Sequence, residues 1–189
     1  MKKLTIIIAA LGLLAACNKQ ADELASPSSN QNNSTGLRTT RPFQATLSAV
    51  VDVNSTNPPT PCSDVVPVAA PDFVLSGNAT HLGLINAQLS SLHHELCNLD
   101  LATALLTTHV SVDLVAADGS VIHISGDDVV NVAALLTGAP NPTGSITGTW
   151  TVTGGTGRFN GATGSLTING TVDLAANTFT CNCVGTINY

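Results

Sequence analysis

From residue 43 onward the chain alternates. Phe43, Ala45, Leu47, Ala49, Val51 and Val53 are separated by mostly polar neighbours, which is the period of a half-buried strand. Residues 54–70 carry Pro58, Pro59, Pro61 and Pro67 and read as a loop. Residues 73–85 predict a second strand, with bends or bulges at Gly77 and Gly83. Residues 89–106 read two ways. Leu89, Leu92, Leu96 and Leu99 fit one helix face, yet the flanks are strand-like, so the expectation is a strand with a short helical turn. Residues 109–115 and 120–125 flank Ala117-Asp118-Gly119, and an Asp-Gly pair between alternating runs signals a hairpin. Residues 127–136 read as one or two helical turns or an irregular crossing. Residues 145–153, 165–174 and 177–187 complete an antiparallel series, turned at Asn169-Gly170 or at Ala175-Ala176-Asn177. Short strands with turn signals at this spacing predict an all-β barrel or sandwich. The domain expected over residues 42–189 is long enough to bury roughly two thirds of its unfolded surface.

The pattern differs before residue 42. Lys2 and Lys3 precede an apolar run over residues 4–14, which ends in Leu14-Ala15-Ala16-Cys17. The run falls well short of the roughly twenty residues of a membrane span, so it reads as the core of an export signal. Residues 1–16 resemble a bacterial lipoprotein signal peptide, in which the cysteine that follows is acylated. The resemblance implies lipidation at Cys17, and acyl chains there would make the lipid bilayer a partner without any transmembrane helix. Asn18 is not the aspartate that commonly retains such lipoproteins at the inner membrane, so the expected location is the cell envelope at the outer membrane. Residues 17–41 are dense in Ser, Asn, Gln, Thr and Pro, bury little, and read as a flexible tether.

Charge narrows the partners. Past residue 42 there is one base, Arg158, against ten acids. A surface of that sign repels phosphate backbones and excludes nucleic acid. Glu and Lys are too few for a heptad coiled coil.

One segment carries a specific motif. Gly154-Gly155-Thr156-Gly157-Arg158-Phe159-Asn160-Gly161-Ala162-Thr163-Gly164 places glycines where a tight turn or bulge needs positive φ, then supplies Phe159 as an apolar plug and Gly164 as a close strand approach. A phosphate cradle is the rival, but no Lys-Ser/Thr follows and the next segment is strand-like rather than a helix N-terminus. The segment resembles the glycine motif of allene oxide cyclase-like and dirigent-like barrel proteins. Residues 78–83, 115–119 and 185–187 resemble further segments of that family. The resemblance implies an eight-stranded antiparallel calycin-like barrel. Plant members are often trimeric, which leaves a homo-oligomer open. Plant cyclases of this kind turn an unstable epoxide into a cyclopentenone in an apolar barrel, but their polar site residues have no clear match here.

Arg158 reads either as an anion anchor at a barrel mouth or as an ion pair with one of the acids, its stem beside Trp150 or Phe159; the ion pair is the reading adopted. Cys62, Cys97, Cys181 and Cys183 form an even set in an exported chain, which reads as two disulfides. Cys181 and Cys183 share one face of a strand, so each is expected to reach Cys62 or Cys97 rather than the other. His81, His93, His94 and Cys97 match no zinc spacing, and neither a metal nor a cofactor is expected. Asp127-Asp128 reads as exposed loop charge. No Gly-x-Ser-x-Gly elbow is present. Two readings of function remain: a non-catalytic barrel that binds a small apolar ligand or a protein, and a cyclase- or isomerase-like enzyme acting on a lipophile. A cavity of roughly 300 Å³ or more with a few convergent polar groups would favour a ligand site or an enzyme, and a barrel filled by side chains a structural or interaction module.

Overall fold

The computed structural model describes residues 38–189; the expected signal peptide, Cys17 and most of the expected tether lie outside them. The strands, in chain order, are β1 (Thr40–Val51), β2 (Thr60–Pro61), β3 (Ala69–Ala70), β4 (Phe73–Ala79), β5 (Gly83–Ile85), β6 (Ser91–Asp100), β7 (Leu105–Val115), β8 (Val121–Asn131), β9 (Thr143–Gly155), β10 (Thr163–Asp173) and β11 (Thr178–Asn188). One short helix, α1 (Ala133–Leu136), follows β8, and a single 3₁₀ turn (Gly157–Phe159) follows β9.

Eight of the strands close a ring. The order runs β1, β11, β10, β9, β8, β7, β6, β4, and β4 pairs back onto β1. Every pairing is antiparallel. The fold is therefore an all-β closed barrel, one of the two architectures that alternation and turn spacing allowed and the one that the resemblance implied. Closure is uneven. β1 meets β11 over eleven residue pairs, whereas β4 meets β6 through Phe73↔Leu92 and Val74↔Ser91 alone. Beyond that point Ser90 stitches the seam. Its carbonyl accepts from Leu75 N–H at 3.0 Å and its hydroxyl from Val115 N–H at 2.9 Å.

Alternation places the core. In β1, Phe43, Ala45, Leu47 and Ala49 point inward and are buried, while their neighbours face water. A slip of one residue would expose all four. The first strand begins at Thr40, slightly before the expected boundary, so Arg41 belongs to the barrel and lies over the Tyr189 ring at 5.0 Å. Trp150, Phe43, Phe159, Leu47, Leu75 and Leu92 fill the interior. Burying an aromatic or large aliphatic side chain contributes about 1.5–3 kcal/mol each.

Three expectations change. Residues 89–106 form the expected strand without the helical turn: β6 carries a bulge between His94 and Leu96, and the chain turns at 101–104. The extra residue, Glu95, shifts the inward phase, so Leu92 and Leu99 both point in although they stand seven apart. In the linear sequence that spacing imitates two helical turns. Residues 127–131 belong to β8, and only four residues after them are helical. Of the two expected turn sites, Asn169-Gly170 lies inside β10 and Ala175-Ala176-Asn177 makes the turn, which spans 174–177 with Asn177 at φ 51°.

Candidate functional site

The two ends of the barrel differ. One end is closed by the glycine motif. Gly154 and Gly155 end β9, the chain turns through Gly157 at φ 59° and Gly161 at φ 65°, and Gly164 enters β10. Phe159 is carried into the barrel and is fully buried, its ring 4.9 Å from that of Tyr189. A side chain at Gly155 would collide with the Phe159 backbone, which is why the plug can seat. Arg158 donates to Asp118 Oδ2 at 2.6 Å and to the His81 carbonyl at 2.6 Å, and its guanidinium lies 4.9 Å over the Phe159 ring. The ion-pair reading holds, and the aromatic partner is Phe159 rather than Trp150. Arg38 donates to the Gly161 carbonyl at the same end. The motif is thus a plug with its fastenings.

The other end is roofed by residues 52–72 and by α1. The Cys62–Cys97 disulfide holds this roof to β6, and Leu99 N–H donates to the Cys62 carbonyl at 2.7 Å. Asp72 adds a polar knot: it accepts from Ser55 Oγ at 2.7 Å and Asn57 Nδ2 at 2.8 Å, and pairs with His93 Nδ1 at 2.7 Å. Burial pushes its carboxyl up, but those three partners outweigh burial and hold it below the usual range.

The expected cysteine pairing is corrected here. Cys62 bonds Cys97, while Cys181 and Cys183 are free, buried thiols with Sγ atoms 3.9 Å apart. Both point into the barrel from β11, which is separated from β6 by β1 and β4 on one side of the ring. The roof loop lies over β6, so it delivers Cys62 to Cys97. The hydrogen bond between the two thiols and their burial push Cys183 far up, so it stays a protonated thiol.

Beneath the roof lies a cavity of about 110 Å³. Its walls are mainly apolar, including Phe73, Leu92, Val130, Ile146, Val172 and Phe179. Three buried polar side chains interrupt them: His94, Thr108 and Asp128. They come from adjacent strands. Thr108 on β7 pairs directly with Asp128 on β8, and His94 on β6 sits opposite Val110, two residues along. Side chains at such direct and diagonal positions lie within reach of one another.

Asp128 is the central member. It is 2 % exposed, so the expectation of exposed loop charge fails for it. The adjacent Asp127 does face outward, because successive residues of a strand face opposite sides. Trp150 Nε1–H donates to Asp128 Oδ1 at 3.0 Å. Space for the carboxyl comes from Gly148, directly opposite on β9, where any Cβ would strike Asp128 Oδ1. Burial pushes the Asp128 carboxyl up to about 7; the Trp150 hydrogen bond works against burial, and the Asp127 charge adds to it. His94 donates Nδ1–H to the Pro71 carbonyl at 2.8 Å in its neutral form. Burial lowers its pKa, the Pro71 bond opposing, so the imidazole is neutral and Nε2 is a lone-pair acceptor. Sequence reading took Asp128 for exposed loop charge and passed over Thr108. The signal was present: Asp128 falls in phase with Ile122, Ile124 and Val130 on the inward side of one alternating run.

The other candidates are dispersed. His81 lies at the plugged end, His93 is bound to Asp72, and Cys97 is in the disulfide. No cluster of metal-ligating side chains occurs among the described residues. On the outer face, Asp127, His109 and Ser125 form a line, with His109 Nδ1 2.6 Å from Asp127 and Nε2 3.0 Å from Ser125 Oγ. The spacing is that of an acid–base–nucleophile relay. It stands on an outward strand surface whose backbone N–H groups are engaged in the β7–β8 and β8–β9 pairings, so no oxyanion pocket accompanies it. His123–Asp113 repeats the His–Asp pairing at 2.6 Å farther along the same two strands. These are cross-strand polar pairs that hold register. No family model matches the chain, and no match was found among curated proteins or solved structures.

Proposed function

We propose that the protein is a lipid-anchored cell-envelope protein whose barrel is a non-catalytic binding module for a small, mainly apolar ligand. One observation carries the binding half: a cavity with apolar walls and three buried polar side chains, which is the general composition of a ligand site. At about 110 Å³ it is small; a dry cavity of roughly 150 Å³ accommodates benzene. That size favours a compact guest over a long lipophile. The anchoring half rests on the residues ending at Cys17, which resemble a lipoprotein signal. The glycine motif, together with a closed eight-stranded ring, supports kinship with allene oxide cyclase-like barrels.

A cyclase- or isomerase-like enzyme is the second reading. Asp128 favours it, because a carboxyl poised near neutrality in an apolar cavity suits proton transfer. Cavity size weighs against it, since sites for drug-sized molecules usually span roughly 300 Å³ or more.

Native mass spectrometry of the protein taken from its own membrane tests the binding half. A small co-purifying mass that leaves on unfolding is the expected result, and an empty protein that takes up no small apolar probe would overturn it. Cys17→Ala tests the anchor: the variant should leave the membrane fraction, and retention there would refute acylation at Cys17.

A further inference from the structure

The charges in the described domain are segregated. Its three arginines, Arg38, Arg41 and Arg158, all lie at the plugged end, against Gly161, Tyr189 and Asp118. No lysine falls within residues 38–189. Among the described residues no Lys or Arg lies at the cavity end, where Asp128 is buried.

The cavity's three buried polar groups can all accept a hydrogen bond, Asp128 most strongly once it is ionised. The proton of neutral His94 points away, to Pro71, and leaves the Nε2 lone pair. Asp128 has one oxygen satisfied by Trp150 and a second that makes no hydrogen bond among the described residues. Thr108 has lone pairs of its own. Trp150 N–H, the donor that reaches Asp128, is already engaged. Asn177, which also lines the cavity, is exposed and faces solvent. An apolar chamber of this kind lacks a donor of several protons. A buried carboxylate held by one neutral donor alone is costly, and a cation that enters with its own N–H groups offsets that cost.

The geometry points to a small primary ammonium with a compact branched or cyclic hydrocarbon body as the cavity's ligand, its N–H groups directed to Asp128, Thr108 and His94 Nε2 and its body against Phe73, Leu92, Val130 and Ile146. This rests on the reading of the cavity as a ligand site and names the chemistry of its guest. The charge of the domain assists: nine acids besides Asp128 stand against three arginines at the far end, so it attracts a cation and repels an anion. Asp128 must give up its proton to hold an ammonium, so affinity rises with pH until the carboxylate is fully formed.

The protein carries one tryptophan, so the indole N–H resonance of Trp150 reports directly on Asp128. The full-length protein in detergent is titrated with 3-methylbutylamine, 3-methylbutanol and 3-methylbutanoate, three probes of one shape, and the indole resonance is followed. At pH 8 the amine should bind more tightly than the alcohol by roughly ten- to a hundredfold, the range of a charge-assisted hydrogen bond. The carboxylate should not bind. Lowering the pH to 6 should weaken the amine and leave the alcohol unchanged. Asp128→Asn should bring the amine to the level of the alcohol. Thr108→Val, which keeps the shape, should weaken the amine more than the alcohol. An alcohol that binds as well as the amine, or a carboxylate that binds, overturns the ammonium assignment while the cavity remains a ligand site. If none of the three moves the indole resonance in the folded wild-type protein, the ammonium assignment fails; if uncharged apolar probes fail as well, so does the reading of the cavity as a site.

Discussion

Trp150 and Asp128 face each other inside the barrel, the indole N–H donating to the carboxyl at 3.0 Å from the neighbouring strand. This bond satisfies one oxygen of a buried acid with a neutral donor, so the acid remains easier to protonate than to ionise.

Stability should therefore depend on pH through Asp128. Its folded pKa, near 7, lies above its ordinary value of 3.8. Between those values the folded chain holds a proton that the unfolded chain has released, so stability is lost as pH rises through this window. The full span amounts to something on the order of 4 kcal/mol. His94 acts oppositely, since its lowered pKa removes stability as pH falls below 6.5. Asp128→Asn keeps His94 and removes the carboxyl. Thermal melts from pH 5 to pH 8 should show the variant gaining on the wild type as pH rises, and parallel curves would refute a buried, proton-holding Asp128.

Reduction should loosen the roof and spare the ring. The Cys62–Cys97 bond closes a loop of 35 residues. A cross-link of that length contributes about 3–4 kcal/mol by the chain-entropy model. Urea unfolding with and without reductant measures the difference. Non-reducing peptide mapping should find the two peptides joined, with Cys181 and Cys183 alkylated only after unfolding. A Cys181 or Cys183 cross-link to either would contradict the arrangement.

The plug should matter for stability and not for binding. Phe159→Ala removes a fully buried aromatic side chain and should cost about 3–5 kcal/mol. Gly157→Ala forces a side chain into φ 59° beside Ser120 and should cost at least about 1 kcal/mol. Chemical denaturation gives both values. The folded fraction should bind cavity probes as the wild type does, because the plug and the cavity lie at opposite ends.

Val130→Phe should fill the cavity. Val130 lines it near Asp128 on the same strand. The larger ring enters existing space, so stability should fall by no more than about 1–3 kcal/mol, the usual cost of added bulk in a packed core, while small-molecule binding disappears. Calorimetry on the variant checks the binding. Retained binding would place the ligand elsewhere.

Much of the barrel could be read from residue order. The inward run Phe43, Ala45, Leu47, Ala49 and the Asp118-Gly119 hairpin stand as the sequence suggests. Errors came where a local pattern hides a phase change. The bulge at Glu95 makes β6 resemble a helix, and the step from Asp127 to Asp128 crosses from the outer face to the inner one within a single pair of like residues. The cysteine pairing depends on which strand lies under the proline-rich roof, and that is a matter of closure across the ring rather than of spacing. Thr108 has no individual signal at all; it gains its place only because β7 sets it against Asp128.

The chain enters the barrel at its arginine-bearing pole, where β1 begins beside Tyr189, and the cavity occupies the opposite pole. The plugged pole is pinned by Arg38 and Phe159. The roof carries neither fastening, so a guest of the cavity can arrive and depart without loosening the plug.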